Sequence, residues 1–387
     1  MTRKRKEILA GLGTEFLGIR LRASRFKPGP AIENSARLRT MISLALQHSQ
    51  VDHGWSDKPG TDMHETQIGH SKIRSTCIVI LMLLLPVCNL SCIQSGDPED
   101  SEVLVWGKRG LGDGQFQTPR AMVIDAADRL FIVDKTGRIQ VFDRDGKFIR
   151  GWRIPEVKNG KPCGLGLDNE GNLLVADTHY YRVLTYTVEG KLLEERTIGG
   201  QLGHGQGEFE FLTDVVMDSK GQYFVGEYGD FDRIQKFSPE GNYLSQFGGH
   251  GSGDGQFLRP QGIAIDDKDQ IWVADACNHR IQVFDTQGEQ VKLIKSWGKP
   301  GKSPGQLKYP YGVALDKDGY VYVCEWGNNR IQKFDQDGNS IATWGTAGTE
   351  PGQLHQPWGF GIDSKGFIHV LDSYNNRVQR FRFEKKN

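Results

Sequence analysis

The feature that most constrains the fold is one type of segment that occurs six times along the chain. From Pro260 the sequence reads PQGIAIDDKDQIWVADACNHRIQVFDTQG, and from Pro310 it reads PYGVALDKDGYVYVCEWGNNRIQKFDQDG. The aspartate that ends the first apolar run recurs every 43 to 50 residues, at Asp125, Asp168, Asp218, Asp266, Asp316 and Asp363. Each copy contains four short strand patterns separated by turn residues, which is typical of an antiparallel meander. Repetition of such a unit predicts an all-β propeller.

The two ends of the repeated region predict how the ring closes. The sixth copy stops after its third strand, at RVQRFRF (residues 377–383), whereas SEVLVWG (residues 101–107) has the pattern of a lone fourth strand. Pairing these two segments completes the sixth blade and leaves no exposed sheet edge. We therefore expect a six-bladed β-propeller with four-stranded antiparallel blades over residues 102–383, closed by the N-terminal strand.

The repeated strings carry a family resemblance. P-x-G-[IV]-A-[IL]-D, V-A-D-x-x-N-x-R and RIQVF, with GxGxGQF before the blades, resemble NHL repeats. The resemblance covers residues 102–383 and is specific for the fold. It is much less specific for activity, because NHL propellers include enzymes, extracellular sensor domains and modules that bind protein or RNA.

The first hundred residues predict export to the cell envelope. Residues 1–62 show no sustained period and read as an upstream extension or a disordered segment, since initiation at Met63 would place a signal segment at residues 63–92. That segment has basic residues before an apolar run of signal-peptide length, too short for a comfortable membrane span. Residues 93–101 follow as a linker.

The end of this segment resembles a bacterial lipoprotein site, with Cys92 as the lipidated residue, although Asn89 stands where that family prefers an aliphatic side chain. Three alternatives stay open: a lipoprotein signal, an ordinary cleaved signal and an uncleaved membrane anchor. Each of them describes a bacterial, exported NHL-repeat protein, either periplasmic or held at the membrane by a lipid or an N-terminal anchor.

Composition limits the partners. The chain has 48 basic and 48 acidic residues, so its balance offers no electrostatic reason to expect nucleic acid. Only Cys163, Cys277 and Cys324 follow the signal segment, and an odd, widely spaced set is no disulfide framework. We expect a monomer.

The loop face of the ring is where we expect binding, because strand alternation gathers the long, variable connections there. One position on this face is the middle residue of P-x-G, at the channel mouth, and a second is the loop after V-A-D. The nine predicted ligand-binding residues of the rim are Arg120, Tyr180, Tyr181, Tyr228, Gln261, Tyr311, Trp326, Trp358 and Tyr374. Aromatic rings of this kind are enriched in binding sites, which favours a non-catalytic scaffold for a protein, peptide or glycan.

The alternative function is a zinc- or calcium-dependent lyase or lactonase-type hydrolase in the channel. Resemblance to the amidating lyase of the NHL family implies zinc histidines in the middle slot of P-x-G, and this chain has no histidine there. His179 and His279 in the rim loops are weak metal candidates. The acid that ends each second strand recurs in all six copies, as does an arginine after it, which indicates a structural pair. We expect no cofactor and assign no catalytic residue.

The string ADACNHRIQVFD illustrates this weighing of function against framework. Asp275, Cys277 and His279 are all of metal-binding or nucleophilic type. Alignment with the other five copies shows that Asp275 occupies a framework position and that the other two occupy variable rim positions. The string therefore predicts contact residues and does not indicate a reaction centre.

Overall fold

The computed structural model describes residues 103–288 and 290–383. The predictions for residues 1–62, 63–92 and 93–101, including lipidation of Cys92, lie outside the described residues. Within the described ranges, no helix has both the length and the apolar character needed to cross a membrane.

Six four-stranded antiparallel sheets form the blades. Their strands are listed from the channel outward. Blade 1 comprises Pro119–Ile124, Leu130–Asp134, Arg138–Phe142 and Phe148–Arg153; blade 2 comprises Gly164–Leu167, Leu173–Asp177, Arg182–Tyr186 and Ile198–Gly199; blade 3 comprises Phe211–Met217, Tyr223–Tyr228, Arg233–Phe237 and Tyr243–Gly248. Blade 4 comprises Pro260–Ile265, Gln270–Asp275, Arg280–Asp285 and Lys292–Trp297; blade 5 comprises Pro310–Leu315, Val321–Glu325, Arg330–Phe334 and Ser340–Trp344; blade 6 comprises Phe360–Ile362, Ile368–Asp372, Arg377–Phe381 and Leu104–Trp106.

Short elements lie between these strands. Two connections form parallel two-stranded pairs, Lys108–Arg109 with Gln115–Phe116 and Thr346–Ala347 with Gln353–Leu354. Three single turns of 3₁₀ helix span Thr178–Tyr180, Glu194–Arg196 and Ala276–Asn278. Blade 2 departs from the common pattern, because its outer strand has only two residues and follows one of these turns.

The ring of six blades confirms the predicted fold. Inner strands of neighbouring blades contact one another around the whole ring, including those of blade 6 and blade 1. Leu104–Trp106 pairs antiparallel with Arg377–Phe381, with Val105 opposite Gln379. The glycine of P-x-G permits the close approach of inner strands: a Cβ on Gly262 would lie 2.7 Å from the carbonyl oxygen of Tyr311.

The hydrophobic core is divided into six clusters, one at each junction between neighbouring blades. The cluster between blades 3 and 4, for example, includes Phe224, Phe257 and Phe284, all nearly or completely buried. Within the part of the chain that the structure describes, the buried face of each blade packs against a neighbouring blade, which explains why one copy of the repeat cannot form a core alone.

The recurrent acid and arginine form an ion pair in every blade, at 2.5 to 3.0 Å between nitrogen and oxygen. In blade 5, Glu325 also accepts the backbone N–H of Lys308 at 2.9 Å and the side-chain amide of Gln332 at 2.7 Å. Arg330 further donates to carbonyl oxygens of the connection entering the blade. These residues therefore hold the incoming loop against its blade, and their charges are already satisfied.

A second recurrent contact joins neighbouring blades. The residue before the entry proline donates its backbone N–H to a side chain of the preceding blade's rim loop. Gln356 donates to Asn329 at 2.6 Å and Tyr309 donates to Nδ1 of His279 at 3.1 Å. His279 thus occupies the structural role that asparagine has elsewhere in the ring.

Candidate ligand-binding site at the channel mouth

The inner strands enclose a central channel with a cavity of about 350 Å³. All six middle residues of the P-x-G segments line it, as the alignment of copies predicts: Arg120, Cys163, Thr213, Gln261, Tyr311 and Trp358. These positions come from all six blades, so the mouth combines side chains that are far apart in sequence. Its volume lies at the lower end of the range for small-ligand pockets, about 300–1,000 Å³.

An aromatic cluster borders one side of the mouth. The ring of Tyr311 stacks on Trp326, with centroids 5.6 Å apart and planes 21° apart. It meets Trp358 edge-on at 5.5 Å. Blades 5 and 6 therefore present three large rings in contact, each partly exposed.

Two arginines complete the mouth from blade 1 and from the connection that enters blade 4. The guanidinium of Arg120 lies 4.9 Å from the ring centroid of Trp358 and donates to the sulfur of Cys163 at 3.4 Å. The guanidinium of Arg259 lies 4.8 Å from the ring centroid of Tyr228. Cation–π contacts of this kind hold a guanidinium in place while leaving its N–H groups available.

The electrostatics of the mouth reflect burial and these two cations. Burial raises the pKa of Tyr311 to about 12, although Arg259 acts in the opposite direction. Burial also raises the pKa of Tyr228 and that of the Cys277 thiol, again against the influence of Arg259. Cys277 is therefore protonated at neutral pH, and a protonated thiol is a poor nucleophile.

Asp214 is the one carboxylate that lines the channel within the described residues. It accepts the backbone N–H of Val215 and that of Ile263, each at 3.0 Å. Burial raises its pKa from 3.8 to about 7, and the two hydrogen bonds oppose that rise. A pKa of about 7 means that this carboxyl changes its charge near neutral pH.

The structure brings together most of the nine predicted rim residues. Arg120, Gln261, Tyr311 and Trp358 line the channel, and Trp326 contacts this set through Tyr311. Tyr228 lies next to it beneath Arg259.

The other three predicted residues lie elsewhere. The hydroxyl of Tyr180 accepts the backbone N–H of Asn159 at 3.2 Å, which anchors the connection into blade 2. Tyr181 packs against the core between blades 2 and 3. Tyr374 is exposed and packs near His355, with ring centroids 5.2 Å apart.

The two weak metal candidates are not among the channel-lining residues. His179 packs near Phe211, with ring centroids 5.4 Å apart, and Nδ1 of His279 accepts a backbone N–H. No histidine lines the described channel, where a zinc site needs three or four converging ligands. The zinc site implied by resemblance to the amidating lyase therefore does not fit this channel.

A different group of metal-binding type lies at the rim of blade 3. Ligand atoms of His204, Glu210 and Asp230 lie within 4.8 Å of one another. Glu210 already accepts the backbone N–H groups of Asp230 and Phe231, at 2.6 and 3.0 Å. Its carboxylate therefore holds the rim loop whether or not a cation binds.

Sequence reasoning missed Arg259 and Asp214. Asp214 had a signal, because it occupies a slot that is Gly or Ala in the other five copies. Arg259 precedes the entry proline, where a left-handed backbone recurs in blades 1, 4, 5 and 6 with φ of 48 to 57°, and its guanidinium lies over the ring of Tyr228. No pattern in the repeat indicates that orientation.

Comparison with known proteins supports the repeat assignment. Residues 257–284, 307–334 and 354–381 match the NHL repeat model, which confirms the resemblance for three of the six copies. Peptidylglycine alpha-amidating monooxygenase of Rattus norvegicus is 35% identical over 140 residues, which are 33% of this chain and 14% of that protein. NHL repeat-containing protein 3 of Mus musculus is 27% identical over 179 residues, 42% of this chain and 51% of that protein. The chain spans about half or less of the length of these relatives.

A solved structure described as a streptogramin B lyase superposes with a TM-score of 0.51, covering 72% of this chain and 96% of that chain. The two sequences are 12% identical, so the likeness shows the fold alone. Bacterial origin and export stay predictions. The matched repeats and the ring of six blades therefore agree on a β-propeller that contains NHL repeats.

Proposed function

We propose that this protein is a non-catalytic binding propeller that recognises a protein, peptide or glycan on its loop face. The observation that carries the proposal is the contiguous set of rings at the mouth, where Tyr311 contacts both Trp326 and Trp358. Tryptophan, tyrosine and arginine supply most of the binding energy in protein recognition sites, and all three types meet here.

The state of the reactive groups favours binding over catalysis. The recurrent acids are held in ion pairs with arginine in every blade. His279 accepts a backbone hydrogen bond, and burial raises the pKa of the Cys277 thiol. A nucleophile needs an adjacent base or a lowered pKa to react at neutral pH.

The test uses the full chain and the double variant Trp326→Ala, Trp358→Ala on peptide and glycan arrays and in capture from a cell-envelope fraction. We expect the double variant to lose binding by at least about 30-fold, since each ring is an anchor. Its thermal midpoint should stay close to that of the parent chain, because the rings are partly exposed.

The matched control is Tyr320→Ala, which removes another exposed aromatic that lies against Lys333, away from the mouth. It should bind like the parent chain. Binding that survives loss of both tryptophans would overturn the proposal.

A metal-dependent lyase or lactonase-type hydrolase is the competing function, and one observation favours a cation. The side chains of His204, Glu210 and Asp230 converge at the rim of blade 3, with Nε2 of His204 lying 3.3 Å from Glu210. Metal analysis of the purified chain decides between the two. Stoichiometric zinc or calcium that is lost in His204→Ala would favour the enzyme.

We further propose that the chain is an exported monomer of the cell envelope, on the strength of residues 63–92 and Cys92. Fractionation of cells, N-terminal sequencing and mass analysis distinguish a lipidated Cys92 from a cleaved signal and from an uncleaved anchor. Recovery of the intact chain from the cytoplasm would contradict export. Light scattering of the purified chain tests the monomer.

A further inference from the structure

The two arginines of the mouth differ from every repeat arginine. The repeat arginines each pair with the acid of their own blade, as Arg280 does with Asp275 at 2.8 Å. Within the described residues, Arg120 and Arg259 have no carboxylate at salt-bridge distance, and the buried Nε of each has no hydrogen-bond partner. Buried donors and unpaired cations are costly in a folded protein. The mouth therefore holds two cations for which the described residues supply no carboxylate at salt-bridge distance.

The arginines are also fixed in place. Trp358 lies under one guanidinium and Tyr228 under the other, at 4.9 and 4.8 Å from the ring centroids. Cys163 accepts one N–H of Arg120 at 3.4 Å. A planar guanidinium held on a ring loses little entropy when it binds a carboxylate, and its fork of N–H groups matches the two oxygens.

Neutral hydrogen-bonding groups lie in the same wall. Among the described residues, Nε2 of Gln261 and Oγ1 of Thr213 have no hydrogen-bond partner, and these two residues are only 7% and 4% exposed. The same holds for Nε1 of Trp326. A carboxylate alone would satisfy the cations and leave these groups unused. These three atoms are themselves buried, so a ligand that carries several hydroxyls would engage them after rotation of the three side chains toward the mouth.

The rings favour the same ligand. Tyr311 and Trp326 stack on each other at the edge of the mouth, with 21° between their planes, and each ring is partly exposed, so apolar ring surface lies beside polar groups. A sugar ring has one such apolar face and polar edges. We propose that the mouth binds the carboxylate of a sugar acid, a uronate residue at the end of a glycan, between Arg120 and Arg259. This inference rests on the proposed ligand binding at the loop face and names the ligand class.

The first experiment is calorimetric titration of the full chain with glucuronate, with glucose, with the methyl ester of glucuronate and with inorganic phosphate. We expect glucuronate to bind and the two neutral sugars to bind at least about tenfold more weakly, since charge-assisted bonds to guanidinium are lost. Phosphate that binds as tightly as glucuronate would overturn the assignment to a sugar acid.

The second experiment compares Arg120→Gln and Arg259→Gln with Arg109→Gln, an exposed arginine of a connection that carries the same charge. Each mouth variant should lose at least about tenfold in glucuronate affinity, and the control should lose none. Thermal melting and circular dichroism of each variant verify folding. The proposal would be overturned if all three variants bound glucuronate as tightly as the parent chain. It would also be overturned if all three lost affinity for glucuronate to the same extent.

The remaining outcomes separate this inference from the function on which it rests. If glucuronate does not bind while the two tryptophans are still required for capture of a partner, the binding function stands and the sugar-acid assignment fails. If an N-acetylated dipeptide with a free carboxylate binds in an arginine-dependent way and glucuronate does not, the ligand is a peptide end and the proposal is wrong.

Discussion

The buried carboxyl of Asp214 makes stability depend on pH in a direction opposite to the usual aspartate. Burial raises its pKa from 3.8 to about 7 even though two backbone N–H groups donate to it. An aspartate in the unfolded chain titrates near pH 3.9. At pH values between these two limits, Asp214 is protonated in the folded protein and ionised in the unfolded chain.

The sign follows from proton linkage. Below about pH 4 the carboxyl is protonated in both the folded and the unfolded state, so its burial causes no pH-dependent change in the free energy of unfolding. Between about pH 4 and pH 7 the unfolded chain releases the proton first, so the free energy of unfolding falls as pH rises. Above pH 7 the free energy of unfolding stops falling. The rise in pKa from 3.8 to about 7 sets the largest possible decrease in the free energy of unfolding at about 4 kcal/mol, with about 1.4 kcal/mol per pKa unit.

The variant Asp214→Asn removes this titration. The amide can accept only one of the two N–H groups of Val215 and Ile263, so it costs about 1 kcal/mol at every pH. The diagnostic quantity is the difference in thermal midpoint between variant and parent, measured by calorimetry at pH 4.5 and pH 8. The variant should gain several degrees on the parent over this interval, at about 2 °C per kcal/mol.

The matched control is Asp113→Asn, because Asp113 is exposed in the connection before blade 1. Its midpoint should follow that of the parent at both pH values. A difference between Asp214→Asn and the parent that is the same at pH 4.5 and pH 8 would refute the reasoning.

Three further changes test the framework. Arg233→Gln removes the ion pair of Glu227, which is completely buried. We expect the free energy of unfolding, measured with denaturant, to fall by about 3–5 kcal/mol. A decrease below about 1 kcal/mol would count against a stabilising role of the pair. His279→Ala should lower the free energy of unfolding by about 1 kcal/mol, because the backbone N–H of Tyr309 loses its acceptor. His279→Asn introduces the side chain that blades 5 and 6 have at this position and should lower it less. Equal thermal midpoints for the two variants would contradict the role of His279 as an acceptor. A chain that starts at residue 107 lacks the closing strand, which leaves the edge of Arg377–Phe381 unpaired. This open edge should promote oligomers, which light scattering would detect. A monomer with an unchanged thermal midpoint would show that closure by this strand is dispensable.

The fold could be predicted from the sequence because the same constraints recur in every copy. A single string such as QIWVAD is ambiguous, but six strings in the same order, each ended by turn residues, admit few arrangements. The ion pairs could also be predicted from the sequence, since an acid and an arginine that recur together in every copy must share one role. Blade 2 shows the limit: its outer strand has two residues, and Leu184 replaces the glutamine found at this position in the other blades.

The binding site could be predicted only in part, because it is formed by residues that differ from one copy of the repeat to the next. The middle residues of P-x-G could be placed at the mouth from the alignment alone. The position of the Arg259 side chain could not, since it depends on the ring of Tyr228 beneath it, which belongs to the preceding blade. Tyr181 shows the converse: its rim position in the alignment gave no sign that it packs into the core.

The closing strand also fixes an order of events during synthesis. Leu104–Trp106 is made first among the blade strands, yet its partner Arg377–Phe381 leaves the ribosome about 270 residues later. At about 5–20 residues per second, the two are separated by roughly 14–54 s. Blades 1 to 5 can stack on one another as they emerge, but the last seam waits for the final segment. A ribosome that stalls within the last copy therefore holds a nearly complete ring whose two edges are both still open.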